Sequence, residues 1–223
     1  STLLGGSGEM LRDPLFRGYL LIMGFSFAIN FGMLAGTPFI LQDRLGFSPR
    51  EFGLLVLLSV GGFTAGGLCN QALIGRVAPA PVLQAATACH VLALLAMAVL
   101  AWRGTLAWWS IIGPHMLLSF GSGIVVPTAG AGAVGLYPRL AGTASSLFGL
   151  AQMGIGALGT VVVAVLSGIG GHTAGMPLVG EWVGCRSAAC GVPMPLVIGL
   201  LPFAIGGLIS AWRLRRVAPR MHS

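Results

Sequence analysis

The sequence predicts an all-α integral membrane protein with six transmembrane helices, and three observations carry that expectation. Of the 223 residues 56% are apolar and only 8% are charged, a balance foreign to soluble domains. The apolar residues gather into six runs, near 19–41, 52–73, 82–102, 108–136, 143–169 and 195–212, each long enough for a hydrocarbon core that takes about 20 helical residues. The five acids, Glu9, Asp13, Asp43, Glu51 and Glu181, fall at helix ends or between the runs, so no carboxylate is expected at depth.

Every basic side chain apart from histidine is an arginine, and the net charge is +7. The arginines are scattered between hydrophobic segments instead of forming one soluble basic face, which argues against nucleic acid as a partner. Six spans return both chain ends to one side. If that side is cytoplasmic, it holds Arg12, Arg17, Arg76, Arg139, Arg213, Arg215, Arg216 and Arg220, against Arg44, Arg50, Arg103 and Arg186 outside. The excess favours both termini inside. Residues 1–18 then form a cytoplasmic N-terminal segment, 19–212 the bundle and 213–223 a basic cytoplasmic tail. The opening STLLGGSGEMLRD has no initiating Met and no signal-peptide pattern, so the chain is expected to continue a longer protein.

The first run carries Asn30 near its middle, a polar side chain that suits either substrate contact or an interhelical hydrogen bond. Its exit, PFILQDRLGFSPREFG, supplies Ser48 as N-cap, Pro49 at the first helical position and Glu51 three residues after the cap, which together predict a capping box. In the second run Gly62 and Gly66 form a GxxxG pair that predicts close helix packing. The connection after Asn70 ends in Arg76, Pro79 and Pro81 and is short enough to make the second and third helices antiparallel neighbours. Cys69 and Cys89 are read as packing residues. Cys89 and His90 are adjacent, so they point in different directions on a helix and do not make a metal pair.

The fourth run opens on an interfacial pair, Trp108 and Trp109, with His115 about two turns inside as either a proton relay or a hydrogen-bonded helix contact. Gly121, Gly123, Pro127, Gly130 and Gly132 predict a bend there, since proline removes a backbone bond and glycine adds freedom. The stretch GLYPRLAGTASSLFGLAQMGIGALG, residues 135–159, runs from an arginine turn at Arg139 into a helix. Ser145, Gly149, Gln152, Gly156 and Thr160 share one narrow, small and slightly polar face of it. A glycine-rich outer loop follows, at about 168–193. Cys185 and Cys190 lie in it, and an oxidising exterior allows either a bond between them or two free thiols.

No Ser, His and Asp set, paired intramembrane carboxylates, phosphate-binding loop or metal-ligand cluster emerges, so the sequence predicts neither an enzyme nor a metal or organic cofactor. Three segments, PFILQDRLGFSPREFGLL, LCNQALIGRVAP and VVPTAGAGAVGLYPRLAGTASSLFGLAQMGIGAL, together resemble the C-terminal half of a major facilitator superfamily drug/proton antiporter of the Bcr/CflA bicyclomycin-resistance type. The resemblance runs from about Leu11 to Arg216 and is most specific between Pro127 and Ala157.

It implies half of a twelve-helix fold built from two inverted three-helix repeats, in the bacterial inner membrane. The first, second, fourth and fifth helices would face a central cavity or the other half, and the third and sixth would be peripheral. Asn30, His115, Ser119 and Gln152 become substrate-pathway candidates on that mapping, while His90 recedes. Gly62, Gly66, Pro127, Gly149 and Gly156 are hinge or packing candidates; Asn70, Arg76 and Arg139 are inner-loop gate candidates. The Asn70–Arg76 turn lacks the acidic residue of the family's full loop motif. The expected function is export of small amphipathic drugs by alternating access, driven by a proton gradient, with the lipid bilayer and an N-terminal six-helix half as partners. A metabolite transporter of the same superfamily and an inactive split product are the alternatives.

Overall fold

The protein, here a computed structural model, is described over residues 7–167 and 194–217. Six long helices account for nearly all of it: α1 (Pro14–Pro38), α2 (Pro49–Leu73), α3 (Pro79–Trp102), α4 (Trp108–Leu136), α5 (Ala141–Ser167) and α6 (Met194–Val217). All six are long and apolar enough to cross a membrane. The loop holding Cys185 and Cys190, and Arg220 in the tail, lie outside the described residues.

Helix starts follow local chemistry. Ser48 and Glu51 close the capping box, with the Glu51 N–H donating to Ser48 Oγ at 3.3 Å and the Ser48 N–H to Glu51 Oε2 at 2.8 Å. α1 begins earlier than hydropathy alone suggests. Asp13 Oδ1 accepts the Leu15 N–H at 2.8 Å and Pro14 occupies the first turn, so a polar cap lengthens the helix beyond its apolar run. Its far end widens into a π-helical turn, Phe39–Arg44, directly after Pro38. α6 likewise outruns its apolar stretch, to Val217, where the Arg216 guanidinium stacks 3.5 Å over the Trp212 ring one turn back. Left-handed glycines, Gly46, Gly75 and Gly104, reverse the chain after α1, α2 and α3.

α1 and α4 form the centre. α1 packs against α5, α6 and α4, and α4 packs against α2, α3 and α1. The helices therefore run α2, α4, α1, α5 in one layer, with α3 and α6 paired behind. Exchanging α1 with α4, α2 with α5 and α3 with α6 maps the main contacts onto themselves. Because the exchanged helices cross in opposite directions, this is the packing signature of an inverted repeat. The correspondence fails at the flank: α5 leans on α6 and also meets α4, whereas α2 scarcely touches α3 or α1.

The outer members of the front layer are built inside out. The buried residues of α2 are Ser59, Gly62, Gly66 and Asn70, while Leu54, Leu57, Phe63 and Leu68 face outward. On α5, Leu150, Met153, Val161 and Val165 are exposed, and Gly156 and Gly159 are buried. Lipid tails reward an apolar exterior, and small residues admit a neighbouring backbone.

At the end of the bundle where the chain enters, Tyr137 Oη donates to Asp13 Oδ2 at 2.9 Å, and Phe16 meets the Tyr137 ring edge-on at 5.8 Å. Asp13 thus caps α1 and ties it to the α4–α5 turn. Partial burial, the Asp13 hydrogen bond and the charges of Asp13 and Glu9 together push the Tyr137 hydroxyl up to about 12. The fold favours the neutral phenol, so this contribution to stability is complete below the unfolded value of about 10 and is lost as pH rises to about 12. Alkaline titration by phenolate absorbance should find a tyrosine ionising near 12, and Asp13→Asn should lower that midpoint. An unmoved midpoint would show that Asp13 does not hold this turn.

Candidate functional site

A layer of hydrogen-bonded polar side chains crosses the middle of the bundle between two apolar clusters. On one side lie Ile22, Leu83, Ala86 and Val125; on the other, Ile29, Ala93, Leu94 and Leu118. Between them stand Ser26 and Asn30 of α1, His90 of α3 and Ser122 of α4. Ser122 Oγ is the hub, at 2.7 Å from Asn30 Nδ2 and 3.1 Å from both Ser26 Oγ and His90 Nε2. It also donates to the Leu118 carbonyl at 3.1 Å. One hydroxyl offers one proton and two lone pairs, so four partners oversubscribe it.

That arrangement fixes the orientation of Asn30. Its Nδ2 donates to the Ser26 carbonyl and to Ser122 Oγ, both at 2.7 Å, which uses both amide hydrogens. A backbone carbonyl can only accept, so the nitrogen must face inward and Oδ1 is left as an acceptor. Asn30 is half-buried. It shares an i, i+3, i+4, i+7 stripe with Phe27, Phe31 and Leu34, the last of them exposed. Phe27 and Phe31 meet edge to face at 5.5 Å. The stripe is an apolar, aromatic surface with one hydrogen-bond acceptor.

The α2–α4 seam takes up several other candidates. His115 Nδ1 lies 3.2 Å from Ser59 Oγ, so this histidine bridges to α2, buried within the seam. Toward the opposite end, Thr128 Oγ1 donates to Asn70 Oδ1 at 2.8 Å. Between these bonds the backbones touch: a Cβ on Gly62 would lie 2.5 Å from the Met116 carbonyl oxygen, one on Gly66 would meet the Phe120 carbonyl, and one on Gly123 the Phe63 carbonyl. The same device joins α1 and α5, where Gly159 faces the Ala28 carbonyl and Gly156 lies under Phe31.

The remaining candidates divide. Asn70, Arg76 and Pro127 line one cavity of about 700 Å³ among the ends of α2, α3 and α4, its wall otherwise mostly apolar. Arg139 is exposed in the separate α4–α5 turn, apart from that cavity. Ser119 is buried one turn from Ser122. Gln152 is half-buried on α5, and nothing lies within 4 Å of where a Cβ on Gly149 would sit. Of the small face on α5, then, Gly156 is spent on α1 while Gly149 stays open. α4 runs from Trp108 to Leu136 with Pro114 and Pro127 inside it. Its glycines serve as contact points: Gly121 meets Ala86 and His90 of α3, and Gly132 meets the Tyr19 ring of α1.

His90 serves as a helix contact: although α3 lies behind the central pair, its side chain reaches forward between α1 and α4 to the hydroxyl that also holds Asn30. Ser26 and Ser122, which complete the layer, were not singled out from the sequence. The signal available was the i, i+4 spacing of Ser26 and Asn30 on one face of the first helix.

The sequence profile of the Major Facilitator Superfamily matches residues 2–160. An uncharacterised MFS-type transporter of Bacillus subtilis (strain 168), YdgK, is 30% identical over 166 residues, covering 71% of this chain and 39% of the relative. Multidrug resistance protein D of Escherichia coli (strain K12) is also 30% identical over 166 residues, covering 74% of this chain and 39% of its own length. The chain therefore spans about two fifths of the curated relatives it matches. No solved structure matches significantly.

Proposed function

The chain belongs to the major facilitator superfamily, and on that premise we propose that it is the C-terminal six-helix half of a Bcr/CflA-type exporter of small amphipathic drugs, coupled to the proton gradient. The packing carries this reading. Two central helices backed by α3 and α6 and flanked by α2 and α5 leave a front surface where Phe27, Asn30, Phe31 and Leu34 are accessible, and the Gly149 side of α5 is unoccupied. A pathway needs a second wall, which an N-terminal half would supply. Both termini lie in the cytoplasm of a bacterium, and the bundle spans its inner membrane.

The chemistry of the stripe favours a largely apolar substrate with a hydrogen-bond donor, since its one fixed polar atom is the Asn30 acceptor. A charged metabolite would find no carboxylate or arginine there. The name of the E. coli relative, a multidrug resistance protein, supports the same substrate class. Because no acid lies at depth among the described residues, the coupling proton is carried by the other half.

The experiment is drug flux in vesicles containing this chain co-reconstituted with an N-terminal half, with and without an imposed pH gradient. Flux should rise with the gradient; equal rates would remove proton coupling. The six-helix chain reconstituted alone should transport nothing, and flux through it alone would overturn the two-wall reading.

A further inference from the structure

We propose that the hollow between the start of α1 and the end of α6 binds the headgroup of an anionic glycerophospholipid. It measures about 400 Å³, and Arg17, Arg213 and Arg216 stand in its wall with no carboxylate among the lining residues. Three arginines lining one hollow, with no acid among the described lining residues, give it a positive potential that favours an anion. The flat, forked donors of arginine match phosphate oxygens two at a time.

The neighbouring residues say what kind of anion. Leu21, Leu214 and Val217 complete the wall, and Leu21 is exposed on the side that continues along the apolar length of α1. Trp212, also exposed, carries the Arg216 guanidinium on its ring face at 3.5 Å, and tryptophan is favoured at membrane interfaces. Gly18 keeps the floor low: a Cβ there would come within 2.9 Å of Leu214 Cδ1. Cationic groups, a neighbouring aromatic ring and an apolar wall that continues to Leu21 meet at a single helix pair, the groups that a phosphate, a glycerol ester and an acyl chain each call for. A free phosphate would use only the first, and a zwitterionic lipid would bring an ammonium group toward three arginines.

Arg215 supplies an internal control. It sits on the same helical turns, but its Nη1 donates to Gln84 Oε1 of α3 at 2.9 Å, and it is absent from the wall of the hollow. Arg213→Gln and Arg215→Gln therefore remove equal charge from the same helix end, one inside the site and one outside it.

The test is native mass spectrometry of the full chain, purified in neutral detergent and titrated with dioleoylphosphatidylglycerol or dioleoylphosphatidylcholine. Phosphatidylglycerol should be retained in preference. Arg213→Gln and Arg17→Gln should each weaken its retention roughly fivefold, as expected for the loss of one arginine near an anionic surface. Arg215→Gln should leave retention unchanged, and millimolar inorganic phosphate should not displace the lipid. Equal retention of the two lipids, an Arg215→Gln loss matching that of Arg213→Gln, or displacement by inorganic phosphate would each overturn the proposal. All three arginines are exposed, so the variants test binding and not folding.

Discussion

Gly66→Ala should unseat α2 from the bundle. The added methyl would press on the Phe120 carbonyl, with its carbon 2.9 Å away and the α-carbon at 3.1 Å. Backbone cannot rotate aside as a side chain can, so α2 must move, and overpacking of this kind costs about 1–3 kcal/mol. Displacement also stretches Ser59–His115 and Asn70–Thr128, interhelical hydrogen bonds of a kind worth roughly 0.6 kcal/mol each in membranes. Thermal unfolding in detergent should show a fall of several degrees. Gly61→Ala is the matched control, since nothing lies within 4 Å of that position. If the two variants melt alike, the α2–α4 seam is not as close as described.

Ser122→Ala should be nearly as damaging without any change in bulk. It removes one hydroxyl and thereby the partner of Asn30, Ser26 and His90 together. Three interhelical bonds at roughly 0.6 kcal/mol each give a loss of about 2 kcal/mol, and the stranded imidazole and amide add to it. Ser26→Ala deletes only one of those contacts and should cost about a third as much. Denaturation of both variants under identical detergent conditions decides the point. Equal effects would mean that Ser122 is not the hub.

These contrasts also mark how far the sequence could be read. Periodicity and composition were enough for six spans, and the Ser48–Glu51 box was visible because its partners are three residues apart. Gly62 and Gly66 announced a close contact, although nothing in their spacing said that the surface opposite is the backbone at Met116 and Phe120. The polar layer was harder. His90 and Ser122 are far apart in sequence and belong to helices whose order in space depends on every other packing choice. A histidine on a rear helix looks idle until the two-layer arrangement brings it behind α1 and α4. Asp13 differs: hydropathy leaves it in the segment before the first span, and nothing local shows that its carboxylate caps the helix and holds a distant tyrosine.

The two glycine seams set an order for biogenesis. Each joins helices that are not consecutive, α2 with α4 and α1 with α5, and each leans on carbonyl groups of a helix that emerges from the ribosome earlier or later than its partner. When insertion has reached only as far as α3, neither seam can form, and Ser59 and Asn70 have no partners from α4. Arrival of α4 closes the first seam and completes the polar layer; arrival of α5 closes the second. The nascent chain must therefore hold its small-residue faces unpaired through much of its insertion, and a chain arrested before α4 would be an open, unzipped set of helices for the membrane's quality-control machinery to find.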